Sequence, residues 1–255
     1  MNTLVFDIET VPDVDLGRRL YGLEGLADGQ IAKAMFALRR QRAGGDFLPA
    51  EQQRIVAISC ALRSGDEVRV WSLGSPGEPE REIVQRFFDG IEKYTPQLVS
   101  WNGSGFDLPV LHYRALVHGI AGSGYWDLGD GDREFKFNNY LSRFHTRHID
   151  LMDLLAGYVN RAWAPLTEVA VLCGLPGKLG MDGSQVYGAW KRGEIDAIRA
   201  YCETDVANTY ALFQRFQLIR GLLTPEAYQH EIAMLRDFIA AQPGAHWKEF
   251  LAAWK

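Results

Sequence analysis

The chain has 255 residues, 47% hydrophobic and 23% charged, with a formal charge of −5: enough apolar material for one large core, and too acidic to coat a polyanion broadly, so any nucleic-acid contact must come from local basic patches. Cys60, Cys173 and Cys202 are far apart and form no Cys-x-x-Cys pair, which argues against a disulfide framework or zinc site and fits a reduced compartment. The N-terminus runs straight into a strand without a basic leader, and no apolar run approaches the roughly eighteen residues of a membrane span, so the cytoplasm is the expected location.

Leu4, Val5, Phe6 and Ile8 predict a buried first strand with Asp7 and Glu9 embedded at its end. Alternate side chains of a strand share a face, so these two carboxylates project side by side. They repel unless one is protonated or a cation sits between them, and a hard divalent ion such as magnesium or manganese suits oxygen ligands. The plainer reading is the solvated end of an edge strand.

Beyond Pro12 an inserted helical arm is expected, about residues 13–50, with a helix around Gln30 to Arg42. Ile31, Ala34, Met35 and Leu38 share its apolar face, and Lys33, Arg39, Arg40 and Arg42 form a solvated face or, less simply, a phosphate-binding one. Arg54–Leu62 and Glu67–Leu73 predict a hairpin across Ser64-Gly65-Asp66, followed by an amphipathic helix over Glu80–Tyr94 and a short apolar strand over Gln97–Trp101. The Asn102–Pro109 segment breaks that strand, and Asp107 is placed to cap the next helix or to bind a metal.

Residues 119–147 lack periodicity, with Gly129–Asp132 expected as a mobile loop. Lys136, Arg143 and Arg147 alternate there with Phe135, Phe137, Tyr140 and Phe144. Cations interleaved with stacking rings suit a single strand of nucleic acid; the alternative is a loop that tucks its rings onto the core. His148–Leu155 predicts a strand entering a helix, and Leu166–Cys173 a second helix. Lys178 lies in the Gly174–Gly180 loop, which lacks the phosphate-loop pattern. In a long helix over Arg192–Arg215, Tyr201 and Asp205 stand one turn apart beside an apolar stripe. Helices near Pro225–Ala241 and Trp247–Lys255 complete the pattern as a helical extension over residues 216–255.

Three segments thus carry the acids: Phe-Asp-Ile-Glu-Thr at 6–10, Asn-x-x-x-Phe-Asp at 102–107 and Tyr-x-x-x-Asp at 201–205. In this order they resemble the three motifs of the DEDD 3′–5′ exonucleases. The tyrosine makes the set similar to the DEDDy branch, above all to the exonuclease domain of family B DNA polymerases and its stand-alone relatives. The resemblance spans roughly residues 3–215; the arm departs from the minimal domain, and His148 is too far from Asp205 to stand in for Tyr201.

The resemblance implies an RNase H-like α/β fold: a five-stranded mixed sheet with helices on both faces, the first strand central and the second antiparallel to the rest. It implies two divalent ions, magnesium or manganese, with Asp7 bridging both, Glu9 and Asp205 completing one and Asp107 holding the other. Tyr201 would orient the attacking water, and Asn102 and Phe106 would approach the terminal nucleotide. The expected activity is release of nucleoside monophosphates from single-stranded 3′ ends, with DNA ahead of RNA. An exoribonuclease and a catalytically silent nucleic-acid-binding module on the same fold are the rivals.

Overall fold

A computed structural model describes residues 2–255. The chain runs β1 (Thr3–Pro12), α1 (Val14–Tyr21), α2 (Asp28–Ala43), β2 (Gln53–Ser64), β3 (Glu67–Ser72), α3 (Glu80–Tyr94), β4 (Gln97–Ser100) and α4 (Asp107–His118). It continues through α5 (Ser123–Trp126), β5 (His148–Asp150), α6 (Leu151–Leu155), α7 (Leu166–Leu172), α8 (Val186–Lys191), α9 (Ile195–Ile219), α10 (Pro225–Ala240) and α11 (Ala245–Ala253). The five strands form one sheet in the order β3-β2-β1-β4-β5, in which β2 pairs antiparallel with β3 and β1, and β4 runs parallel to β1 and β5.

The strand period sorts β1 between two cores. Leu4, Phe6 and Ile8 pack with Ile83, Phe87 and Phe88 of α3 and Leu108 and Leu111 of α4. Val5 points the other way, onto Val206, Ala207 and Tyr210 of α9, with α10 and α11 behind them through Leu235, Ile239, Trp247 and Phe250. Asp7 and Glu9 follow Val5 on its face and so come up beneath α9. Both cores exclude water from apolar side chains, which is the main force fixing the strand's register.

A one-residue bulge interrupts the β1–β2 ladder beside the carboxylates: Glu9 pairs with Ala57 but Thr10 with Ile55, so Val56 is extra. Pairing with β4 ends earlier, at Val5 and Val99, and the later N–H groups of β1 have no ladder partner on that side.

The arm folds as expected, with one addition. Asp13 caps a helix not anticipated from the sequence, α1, by accepting the Leu16 N–H at 2.9 Å. On α2 the buried residues are Ile31, Ala32 and Met35, so Ala32 takes the inward place expected of Ala34, because Val14 and Tyr21 of α1, Leu48 and Tyr187 pack from that side. Arg40 pairs with Asp46, and Arg18 with Asp15 and Asp28. The 119–147 segment divides between the two alternatives: Phe135 and Tyr140 are buried with Arg147 over both rings, whereas Phe137 and Phe144 are exposed. Gly129–Asp132 is gathered into a tight turn by the Asp127 carboxylate, which accepts the N–H groups of Gly129, Asp130, Gly131 and Asp132.

A buried ion network ties α4 to the rest. Arg114 donates to Asp13 at 2.6 Å and to Glu80 at 2.5 Å, and Glu80 also bonds the Ile55 N–H. Arg114→Ala would remove the guanidinium shared by two buried carboxylates, leaving Asp13 the Leu16 N–H and Glu80 the Ile55 N–H and His118. We expect a loss of about 3–5 kcal/mol in unfolding free energy, measured by urea titration; a loss below about 1 kcal/mol would show that the network is solvated.

Candidate active site

Each acidic side chain reaches the end of β1 by a different route. Asp7 and Glu9 come from the strand itself. Asp205 comes from α9, whose turn carries Tyr201, Cys202 and Asp205 onto the face packed against the sheet, where all three are buried. Asp107 comes from the start of α4, but not as its cap: Phe106 holds the capping position and Asp107 is the first helical residue. Its Oδ1 instead accepts the Ile8 N–H at 3.1 Å, taking a β1 donor that β4 leaves unpaired. The N-cap expectation for Asp107 is therefore corrected, since tertiary demand for an acceptor outweighs the local one.

The loop carrying Asp107 is held from β5. Asp150 accepts the Asn102 and Ser104 N–H groups, each at 2.9 Å, and also caps α6. Asn102 sits in the left-handed region at φ 65, and a Cβ at Gly103 would collide with the Ser100 side chain, so the tight turn needs its glycine. Asn102 and Phe106 are half-buried on this loop. His148 is packed beneath it, bonded to Ser100 at 2.8 Å and lowered to about 4 by burial, as befits a structural imidazole.

The electrostatics are those of like charges forced together. Burial first, then Asp107 and Asp205, hold Asp7 well above the usual carboxylate range; burial, then Asp7 and Asp205, do the same to Glu9. Burial likewise pushes Asp107 up to about 7, against the opposing hydrogen bonds from its own N–H and from Ile8. Asp205 is raised by burial and partly relieved by Lys178 and Tyr201. Its Oδ1 is buried without a hydrogen-bond partner. Asp7, Glu9 and Cys202 present ligand atoms within 4.8 Å of one another. A crowd of hard oxygen donors with an orphaned lone pair is the donor set that a divalent cation satisfies, so the residues fit magnesium or manganese.

Two neighbours were not singled out from the sequence. Lys178 donates to the Tyr201 hydroxyl and lies 3.6 Å from Asp205, its loop held where Asn208 of α9 bonds both the N–H and the carbonyl of Gly177. Its only sequence signal was a lone cation in a glycine-rich loop. Cys202, protonated because burial and Asp7 raise its thiol, donates to the Asp7 backbone and carboxylate; in the sequence it was one more residue of an apolar stripe. Burial and the neighbouring acids also push the Tyr201 phenol far above its usual range, so it remains protonated.

A mixed five-stranded sheet with β1 central, β2 antiparallel to its neighbours and helices on both faces is the RNase H-like fold. The chain belongs to the family described as predicted 3′–5′ exonucleases related to the exonuclease domain of PolB, whose model matches residues 45–254. Asp7 and Glu9 lie outside the matched span. A DNA polymerase of Archaeoglobus fulgidus is 26% identical over 165 residues, which are 64% of this chain and 20% of that protein. DNA polymerase 1 of Sulfurisphaera ohwakuensis is 51% identical over 37 residues, 14% of this chain and 4% of its own. The chain thus spans about a fifth of the length of the former. The family B DNA polymerase of Pyrobaculum calidifontis superposes over 94% of this chain and 28% of its own with a TM-score of 0.52 and 18% identity, a likeness of fold. No helix among the described residues is long and apolar enough to cross a membrane.

Repulsion within the pocket yields a stability prediction. In a chelating buffer, Asp7→Asn should raise the unfolding free energy by about 0.5–2 kcal/mol by removing one buried charge, and added magnesium should narrow the gap by favouring wild type. A less stable variant in chelator would mean that the acids are not mutually strained.

Proposed function

We propose that this chain is a DEDDy-type, two-metal 3′–5′ exonuclease that removes nucleoside monophosphates from single-stranded 3′ ends, with DNA the preferred polymer. The observation that carries the reading is the gathering of Asp7, Glu9, Asp107 and Asp205 around the end of β1, with Tyr201 beside them. Family membership supports the exonuclease activity, and the polymerases it resembles favour DNA.

Asp7, Glu9 and Asp205 would hold one divalent ion, and Asp7 with Asp107 a second. When bound, such ions supply a deprotonated water as nucleophile and stabilise the departing 3′ oxygen. Tyr201 positions that water. Its phenol is too weak an acid to ionise at neutral pH and so does not act as a base, but Lys178 donates to its oxygen and leaves the phenolic hydrogen to be donated into the pocket. The Lys178 ammonium also offsets the charge of Asp205. Asn102 and Phe106, on the loop that carries Asp107, would meet the terminal nucleotide. Burial of the acids makes each charge interaction stronger than it would be in water.

The test uses 5′-labelled single-stranded DNA and RNA of one sequence with magnesium or manganese. A ladder shortening from the 3′ end is expected, faster on DNA; preference for RNA would make the enzyme an exoribonuclease, and binding without cleavage would make it a silent module. Asp7→Ala should cut the rate by more than about 100-fold, beyond the loss typical of groups one layer out from a metal, and normal digestion by this variant would overturn the site. Tyr201→Phe should slow turnover by about 10–100-fold while metal binding persists; an unchanged rate would reduce Tyr201 to packing.

A further inference from the structure

The arm holds an apolar ring in solvent at the rim of the site. Between α2 and β2 runs Gly44-Gly-Asp-Phe-Leu-Pro49. Leu48 is buried against α2, yet its neighbour Phe47 keeps 66% of its surface exposed. The ring forgoes the burial that Leu48 gains, and its backbone is nonetheless held firmly. Arg39 Nε donates to the Phe47 carbonyl at 2.8 Å, and Gln53 Nε2 donates to the Leu48 carbonyl at 3.0 Å. Gln53 Oε1 in turn accepts from Thr10 Oγ1 at 2.9 Å, and Thr10 follows Glu9 on β1. Phe47 is thus registered to the strand that carries the first two carboxylates.

Its aromatic neighbour is Phe106, with ring centroids 4.9 Å apart and planes at 55°. Phe106 directly precedes Asp107, whose carboxylate bonds Ile8 between Asp7 and Glu9. Two rings, one from the insertion and one from the α4 loop, therefore stand together beside the acidic pocket, and the outer ring has an open face. The exposed Phe144 is disposed differently: it lies edge-on to Tyr158 and beside Arg143, which pairs with Asp153.

We infer that Phe47 is a substrate-binding residue, stacking on a base of the single-stranded 3′ end whose terminal phosphodiester lies at the carboxylates. The inference rests on the nuclease reading for the position of that bond. A fixed phenyl face suits single strands because their bases offer free π surfaces, whereas bases within a duplex are covered by their neighbours; it is also indifferent to sequence. The arm would accordingly favour frayed or unpaired ends, and Phe106 alone would be an incomplete platform.

The test compares wild type with Phe47→Ala, Phe47→Leu and Phe47→Trp. Binding is measured with a single-stranded DNA octamer carrying 2-aminopurine at its 3′ end, with calcium as the cation. Bis(p-nitrophenyl) phosphate, a phosphodiester without a base, is hydrolysed in parallel with manganese. Phe47→Ala should weaken octamer binding by about 10-fold and lift the quenching of 2-aminopurine seen with wild type. Phe47→Trp should restore both, Phe47→Leu neither, and the ratio of oligonucleotide to ester turnover should fall with the affinity. Unchanged octamer affinity in Phe47→Ala, full rescue by leucine, or equal losses on the two substrates would overturn the inference. If wild type cleaves neither substrate yet binds the octamer in a Phe47-dependent way, the nuclease reading fails while the stacking stands.

Discussion

Like charges held close in a dry pocket are the constraint that the structure is built around. Burial raises the proton affinity of Asp7, Glu9, Asp107 and Asp205, the neighbouring acids raise that of Asp7 and Glu9 further, and the surrounding groups act against both effects. The Ile8 N–H serves Asp107, the Cys202 thiol serves Asp7, and Lys178 with Tyr201 serves Asp205. None of these is a full counter-charge for the set, and Asp205 Oδ1 is left without a partner. The pocket stores electrostatic strain that a cation would relieve, and the fold spends its stability elsewhere to keep it.

Stiffness elsewhere makes this possible. β1 lies in the middle of the sheet between two cores, so its carboxylates cannot swing apart without exposing Phe6 or Val5. Asp150 fixes the loop before α4 from the next strand but one, and Asn208 fixes the Lys178 loop from the helix that supplies Asp205. The anchors are themselves polar and buried, and each is satisfied on more than one side, which is what makes a buried polar network rigid rather than costly.

Much of this was legible from the residues. Period-two and period-3.6 patterns and continuous apolar runs fall on β1, the β2–β3 hairpin, α3 and α9, because these elements carry most of the two cores. The Glu80–Tyr94 helix agrees with the sequence to the residue. The short helices α1 and α8 were not visible, since eight or six residues hold too few turns to show a stripe. Asp107 looked like a cap because its local context is that of a helix start; only the early end of the β1–β4 ladder reveals what it bonds. Lys178 meets Tyr201 across 23 positions, through a loop whose path no local pattern encodes. The 119–147 segment fits neither single expectation, because Arg147 is used to cover buried rings while Phe137 and Phe144 face outward.

The extra residue at Val56 works as a slip joint. On its near side β1 and β2 are locked in the register that aims Asp7 and Glu9 beneath α9; on its far side Thr10, Val11 and Pro12 pair in a register shifted by one, leading into the arm. A strand pair interrupted in this way does not pass a displacement along its length as a continuous ladder would. The turn of the chain into the arm is thereby taken up at Val56, and the acidic floor keeps the register set by the Glu9–Ala57 pair.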